Sequence, residues 1–396
     1  MANFVYCCFS LLLLLLIHCC FPSAEAAAVY NITDFGAKPD GQTDSTKALL
    51  DAWAAACGSA EPASTIYVPD GFFTVGQAVF TGPCNTNGVT IECDGTLVAP
   101  SDYSVLASAG QWLKFERVEG LSIFGGTIDG RGSSFWANKA SNSGCPNGAP
   151  SLYVANSNDV LISGLRSVDS QLYHIVIDGC DRVRVQGVMI TAPGNSPNTD
   201  GIHVEDSTNV TVAEALIQTG DDCISVGPGT SNLWIENVVC GPGHGISIGS
   251  LGKRYEERGV ENVTVRSTVF TGSMNGLRIK TWGRPSDGFV RGVAFEHALM
   301  QNVRNPIIID QNYCPSNINC PDQNSGVRIS QVQYTDIQGS SASQVAVNFN
   351  CSASNPCSGI ELRDIKLDYD GKPAESSCMH ANGTASGTVI PPSCFL

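Results

Sequence analysis

Three carboxylates and an imidazole recur at even spacing in the middle of this chain. Asp200, Asp222 and His244 follow one another at steps of 22 residues, and Asp221 adjoins the second of them in "TGDDCISVG". An isolated Asp-Asp pair usually serves a turn, its side chains bonding nearby backbone amides. Several carboxyls forced together can do more. Mutual repulsion raises the pKa of one member, so that one stays protonated while another is ionised. That division suits general acid–base hydrolysis, with one carboxyl giving a proton to a leaving oxygen and another activating water. Glycoside cleavage is the leading case. The titration belongs to the cluster as a whole. No C-x-x-C pair or Cys/His group has zinc spacing, and neither a metal nor another cofactor is expected.

A second group lies further on. In "GLRIKTWGR", Arg278 and Lys280 are two apart, so on a strand both leave the same face. The chain as a whole is acidic, with 22 Lys+Arg against 37 Asp+Glu, a formal net charge of -15. That balance argues against nucleic acid or an anionic membrane as partner. A polyanionic substrate would need cations gathered at one place, which is what Arg278 and Lys280 offer.

These residues must be positioned by repeated elements. "SLYVANSNDVLISGL", "HIVIDGCDRVRVQGV", "GIHVEDSTNVTVAEA", "CISVGPGTSNLWIEN" and the run from "GISIGSLG" share one pattern. Two apolar residues at i and i+2 are followed by a polar turn and a second apolar pair. The pattern begins at Leu152, Ile175, Ile202, Ile224, Ile246, Leu277 and Ile307, at steps of 22 to 31 residues. A unit of this length predicts an all-β right-handed parallel β-helix, each coil about 4.8 Å above the last. An antiparallel sandwich is the alternative. In the solenoid frame Asp200, Asp222 and His244 each lie two residues before a coil start and form one vertical column, with Tyr173 below and Asn275 above. Arg278 shares its column with His203, Ser225 and Ser247. Leu277 and Ile279 point inward, Arg278 and Lys280 outward. Little of the sequence is helical; the best candidate is Asp44–Cys57, where Asp44 or Ser45 can cap and Leu49, Leu50, Trp53 and Cys57 form an apolar stripe. This helix is expected to cap the amino-terminal end of the core.

Residues 1–26 read as a secretory signal peptide, with the apolar run Leu11–Phe21 followed by Ala24-Glu25-Ala26. Residues 27–396 then form one catalytic domain, expected to act as a monomer. Thirteen cysteines follow the apolar segment, an odd number. In an oxidising compartment most should pair, and close spacing favours Cys223–Cys240, Cys314–Cys320, Cys351–Cys357 and Cys378–Cys394. Sequons at Asn31, Asn209, Asn262, Asn350 and Asn382 fit an extracellular glycoprotein.

Four blocks, "NTDGIH" (198–203), "GDDCIS" (220–225), "GHGISIGSLG" (243–252) and "RIK" (278–280), resemble in order and spacing the signatures of the polygalacturonases, glycoside hydrolase family 28. The resemblance extends over essentially the whole mature chain and looks most like the plant secreted branch. It implies inverting, metal-free hydrolysis of α-1,4-linked galacturonate in demethylated pectin, in the cell wall or apoplast. By the same resemblance Asp221 is the general acid, and Asp200 and Asp222 are the pair that activates water. His244 supports the acid's protonation. Arg278 and Lys280 bind the galacturonate carboxylate, Tyr313 is a subsite tyrosine, and Asn198 shapes a loop beside them. Two other readings remain open at this stage: a calcium-dependent lyase of similar fold, and a wall glycoprotein that grips pectin without cleaving it.

Overall fold

The computed structural model describes residues 28–141, 146–315 and 318–395. The predicted signal peptide and Cys145 lie outside the described residues. Short strands stack coil upon coil into two long sheets, one of 20 strands and one of 11. Every described pairing is parallel except that of Lys372–Pro373 with Cys357–Tyr369, which removes the antiparallel sandwich.

The 11-stranded sheet carries the acid column. Ile175 pairs with Leu152 and with Ile202, Ile202 with Ile224, Ile224 with Ile246, Ile246 with Leu277, and Leu277 with Ile307. Each coil start of the repeat therefore sits directly over the last. The cause is period-two burial. Ile202 and Val204, Ile224 and Val226, Ile246 and Ile248, and Leu277 and Ile279 are all buried in the bore of the coil. Burying each such side chain is worth roughly 1.5–3 kcal/mol, and a one-residue slip would turn the whole set outward. The continuous core runs from Ile32 to Ala381.

The starts of strands Thr208–Ala213, Ser231–Glu236 and Val260–Thr271 have their own ladder. Asn209, Asn232 and Asn262 hold left-handed backbone at φ 54°, 54° and 55°, a conformation asparagine tolerates better than most residues. Their amides stack, with Asn262 Nδ2 donating to Asn232 Oδ1 at 3.2 Å and Asn232 Nδ2 to Asn209 Oδ1 at 3.3 Å.

A helix spans Thr46–Cys57 and buries Leu49, Trp53 and Cys57 together with Ala48, Ala52 and Ala56, so the small residues share the buried face with the predicted stripe. Asp44, rather than Ser45, satisfies the first turn, its Oδ1 accepting from Thr46 N at 2.9 Å. All four predicted disulfides form. A fifth, Cys57–Cys84, joins the end of this helix to a loop 27 residues on. Cys93 and Cys180 are buried thiols, each pushed up to about 11 by burial.

Candidate active site

The acid column opens into a cleft of about 560 Å³ on the outer face of the 11-stranded sheet. Its lining includes Asn198, Asp200, Asp221, Lys280 and Tyr313. Strand Ile202–Glu205 follows Asp200, and strand Ile224–Val226 follows the Asp221–Asp222 pair. His244 comes just before Ile246–Leu251, and Arg278 and Lys280 lie within Asn275–Trp282. Two glycines allow the coils to approach. A Cβ at Gly220 would lie 2.0 Å from Ser196 O, and one at Gly245, where φ is +89°, would lie 2.2 Å from Asn275 O. No other L-residue fits these two positions without moving backbone.

Equal coil position brings the residues together but does not choose their partners. His244 stands over Asp222 in the repeat, yet its Nδ1 meets Asp221 Oδ1 at 2.9 Å. This hydrogen bond raises the His244 pKa above its usual value, against the opposing effect of burial. The backbone agrees, His244 N donating to Asp221 O at 2.7 Å. Asn275, next in the column, donates from Nδ2 to His244 O at 2.9 Å and so fixes the histidine's peptide. On the other side of Asp221, Asn198 Nδ2 approaches Oδ2 at 3.4 Å, and Lys139 Nζ holds Asn198 Oδ1 at 2.8 Å.

Asp222 is fully buried and does not line the cleft. Its Oδ1 accepts from Arg278 Nη2 at 2.6 Å and Ser247 Oγ at 2.9 Å, and its Oδ2 accepts from Lys280 Nζ at 2.7 Å. Arg278 Nε in turn donates to Ser247 Oγ at 2.8 Å. Burial opposes ionisation of Asp222, but Lys280 and Arg278 together outweigh it and hold its carboxyl below the ordinary range. Asp200 is pushed the other way. Burial is the main cause, and the charges of Asp221 and Asp222 add to it. The expectation of a raised member in the cluster thus falls on Asp200.

The outward basic pair also differs from expectation. Arg278 and Lys280 leave the outer face of their strand as expected, but they are 8% and 6% exposed and their charge is directed at Asp222. Lys280 reaches the cleft, its Nζ lying 5.1 Å from the centre of the Tyr313 ring; Arg278 is not among the lining residues. Tyr313 stands beside Trp282, its register partner, with ring centres 5.6 Å apart. His203 also lines the cleft. Tyr173 stacks on it at 5.0 Å, Ser225 Oγ lies 2.7 Å from its Nδ1, and it holds Glu205 below the usual carboxylate range.

Asp221, Asp222 and His244 offer donor atoms within 4.8 Å of one another, a spacing compatible with a cation. Both Asp222 oxygens already meet the cationic groups of Lys280 and Arg278, so a divalent ion there would be placed against two positive charges. Absent from the sequence expectation were Lys253, Arg254 and Arg258, cleft residues from the loop after strand Ile246–Leu251. The charge run "GKRYEERG" marked that loop, but nothing periodic told which way it folds.

Comparison with known proteins gives the same assignment from another side. The model of "Glycosyl hydrolases family 28" matches residues 57–387. A polygalacturonase of Prunus persica is 57% identical over 367 residues, covering 92% of this chain and 93% of the relative. An exopolygalacturonase of Platanus acerifolia is 40% identical over 93% of this chain and 98% of its own length. Among solved structures, the endo-xylogalacturonan hydrolase of Aspergillus tubingensis superposes with a TM-score of 0.79 at 23% identity, covering 91% of this chain and 100% of that one, which is likeness of fold. With four site blocks stacked on one cleft and a family match over most of its length, the chain belongs to glycosyl hydrolase family 28.

Proposed function

We propose that this protein is a secreted polygalacturonase that hydrolyses α-1,4-galacturonosidic bonds of demethylated pectin in the cell wall, with inversion and by general acid–base catalysis. The observation that carries the reading is the cluster of three carboxyls and one imidazole stacked at the cleft, whose members are held in different protonation states. Asp222 is held ionised by Lys280 and Arg278, while Asp200 is disposed to keep a proton and His244 to gain one. Asp221 is the general acid. A proton can pass along the 2.9 Å contact from His244 Nδ1 to Asp221 Oδ1. Asp221 then gives it to the glycosidic oxygen as the bond to the anomeric carbon breaks. Water attacks that carbon from the opposite face; Asp200, the member of the pair that lines the cleft, takes its proton while the proton Asp200 held passes to the ionised Asp222, so that the pair ends one proton richer. Arg278 and Lys280 neutralise Asp222 and keep their remaining donors for a galacturonate carboxylate at the reacting unit. Tyr313 packs beside that sugar, and Asn198 orients the acid.

Five disulfides among the described residues favour an oxidising, extracellular setting. Residues 27–396 act as one catalytic unit and as a monomer. The coil is right-handed, as nearly all parallel crossovers are, and helix Thr46–Cys57 closes its amino-terminal end.

The test is Asp221→Asn. The variant should release no reducing ends from polygalacturonate while its circular dichroism stays that of the parent. Activity near the parent's would refute the role of Asp221. An unsaturated product absorbing in the ultraviolet would instead indicate a lyase.

A further inference from the structure

Much of the positive charge inside the cleft is already committed. Lys280 and Arg278 bind Asp222, and Arg258 Nη1 binds Asp206 Oδ1 at 2.9 Å. Lys253, Arg254 and Arg284 differ: among the described residues none of them forms an ion pair with a carboxylate. Lys253 and Arg254 line the catalytic cleft and also a neighbouring hollow of about 460 Å³, so the two are contiguous. Arg284, Tyr255, Gln323 and two prolines complete that hollow, and no carboxylate lines it.

The loop bearing these cations is built rather than loose. The carboxylate of Glu257 accepts from three consecutive backbone amides, those of Gly252, Lys253 and Arg254, the last two at 3.2 and 3.4 Å. Glu257 N donates to Asp287 Oδ1 at 3.0 Å, and Asp287 N returns to Tyr255 O at 2.9 Å. Arg284 Nη1 reaches Lys253 O at 3.4 Å, and its guanidinium lies 5.1 Å from the centre of the Trp282 ring. Of the loop's two acids, Glu257 is thereby spent on its backbone, and Glu256 lines the catalytic cleft but not the neighbouring hollow. Tyr255, 65% exposed, leaves an aromatic face open beside the cations.

We infer that Lys253, Arg254 and Arg284, with the Tyr255 ring, form a subsite for the carboxylate of a further uronate unit of the same polysaccharide, beyond the bond being cleaved. The inference rests on the polygalacturonase reading above and names residues it did not use. A polyuronide carries one carboxylate per sugar, so a chain lying on the acids and continuing along the groove presents carboxylates to this hollow. In a protein of net charge -15, unpaired cations at the groove also counter the repulsion that the anionic chain meets on approach.

The experiment measures binding apart from turnover. Hexagalacturonate is titrated calorimetrically into Asp221→Asn and into Asp221→Asn carrying Lys253→Ala and Arg254→Ala. The substituted loop should bind about three- to tenfold more weakly, the range for losing two partly exposed ion pairs. Its affinity should also depend less steeply on salt. Fully methyl-esterified hexamer should bind both proteins alike. Arg284→Gln, which changes no residue of the loop and removes one 3.4 Å bond to Lys253 O, should weaken the acidic hexamer in the same direction, and parent-like hydrogen exchange at amides 252–254 in each variant guards against a loop that has merely collapsed. Equal affinities and salt slopes would overturn the subsite. If the parent enzyme fails to cleave polygalacturonate yet hexamer binding still depends on Lys253 and Arg254, the hydrolase reading falls and the subsite stands. If hexagalacturonate does not bind at all, both fall.

Discussion

Asp222, Lys280 and Arg278 make a group of one anion and two cations, with side chains 0%, 8% and 10% exposed. The two directions of unpairing this group should not cost the same. Lys280→Met removes one cation and keeps the aliphatic stem; Asp222 retains Arg278 and Ser247. What is lost is one charge-assisted hydrogen bond, about 1.5–3 kcal/mol. Asp222→Asn instead leaves two buried cations facing a neutral amide. Removing the central partner of a buried ionic group costs about 3–5 kcal/mol, because the remaining charge is uncompensated. Combining the two leaves a single cation, so Asp222→Asn should cost about 1–3 kcal/mol less in the Lys280→Met background than alone. Urea unfolding of the four proteins, followed by tryptophan fluorescence at constant pH, measures the cycle. Additivity within about 0.5 kcal/mol, or a larger loss for Lys280→Met than for Asp222→Asn, would refute the view that Asp222 is the hub and the cations its counter-charges.

Two further outcomes follow from the same geometry. His244 has its pKa raised by Asp221, so this pair contributes stability that is fully present below the unfolded histidine value, about 6.5, and is lost as pH rises through the folded pKa. Urea midpoints of the parent should therefore lose an increment as pH rises above about 6.5 that His244→Gln does not show; identical pH profiles would contradict it. Glu257→Ala should free the amides of residues 252–254, seen as faster hydrogen exchange confined to that loop, with Glu257→Gln intermediate because one oxygen remains to accept. Unchanged exchange would mean that the loop is held by something other than this carboxylate.

The repeat was legible because it obeys one rule: apolar pairs at i and i+2 must enter the bore. From that rule came the seven coil starts from Leu152 to Ile307 and the convergence of Asp200, Asp222 and His244; the flanking strands Ala78–Thr81, Leu113–Glu116, Val345–Asn350 and Glu375–Met379 of the same sheet were not read from it. It did not say that His244 would meet Asp221, since a side chain's partner depends on rotamers and on small neighbours such as Ser247. Nor could it show that Asp222 would be sealed beneath Lys280 and Arg278. Close cysteine spacing identified the short disulfides, whereas Cys57–Cys84 depends on how the helix lies against a distant loop. The loop carrying Lys253 and Arg254 was illegible for a related reason. Its shape is set by one side chain, Glu257, bonding backbone amides, and such contacts have no period to read.

The stacked register also makes this a protein whose length comes in whole turns. Residues 200–221 are one complete coil, from Asp200 to Asp221, with strands Ile202–Glu205, Thr208–Ala213 and Leu216–Gln218. Excising them would set Ile224 directly over Ile175, keep Asp222 against Lys280 and Arg278, and spare the Cys223–Cys240 disulfide. The apolar bore would remain continuous. His244 would lose Asp221, its hydrogen-bond partner, and the cleft would lose both of the catalytic carboxyls that line it. A solenoid of this kind can shorten by a turn and still fold, but it cannot shorten by this turn and still work.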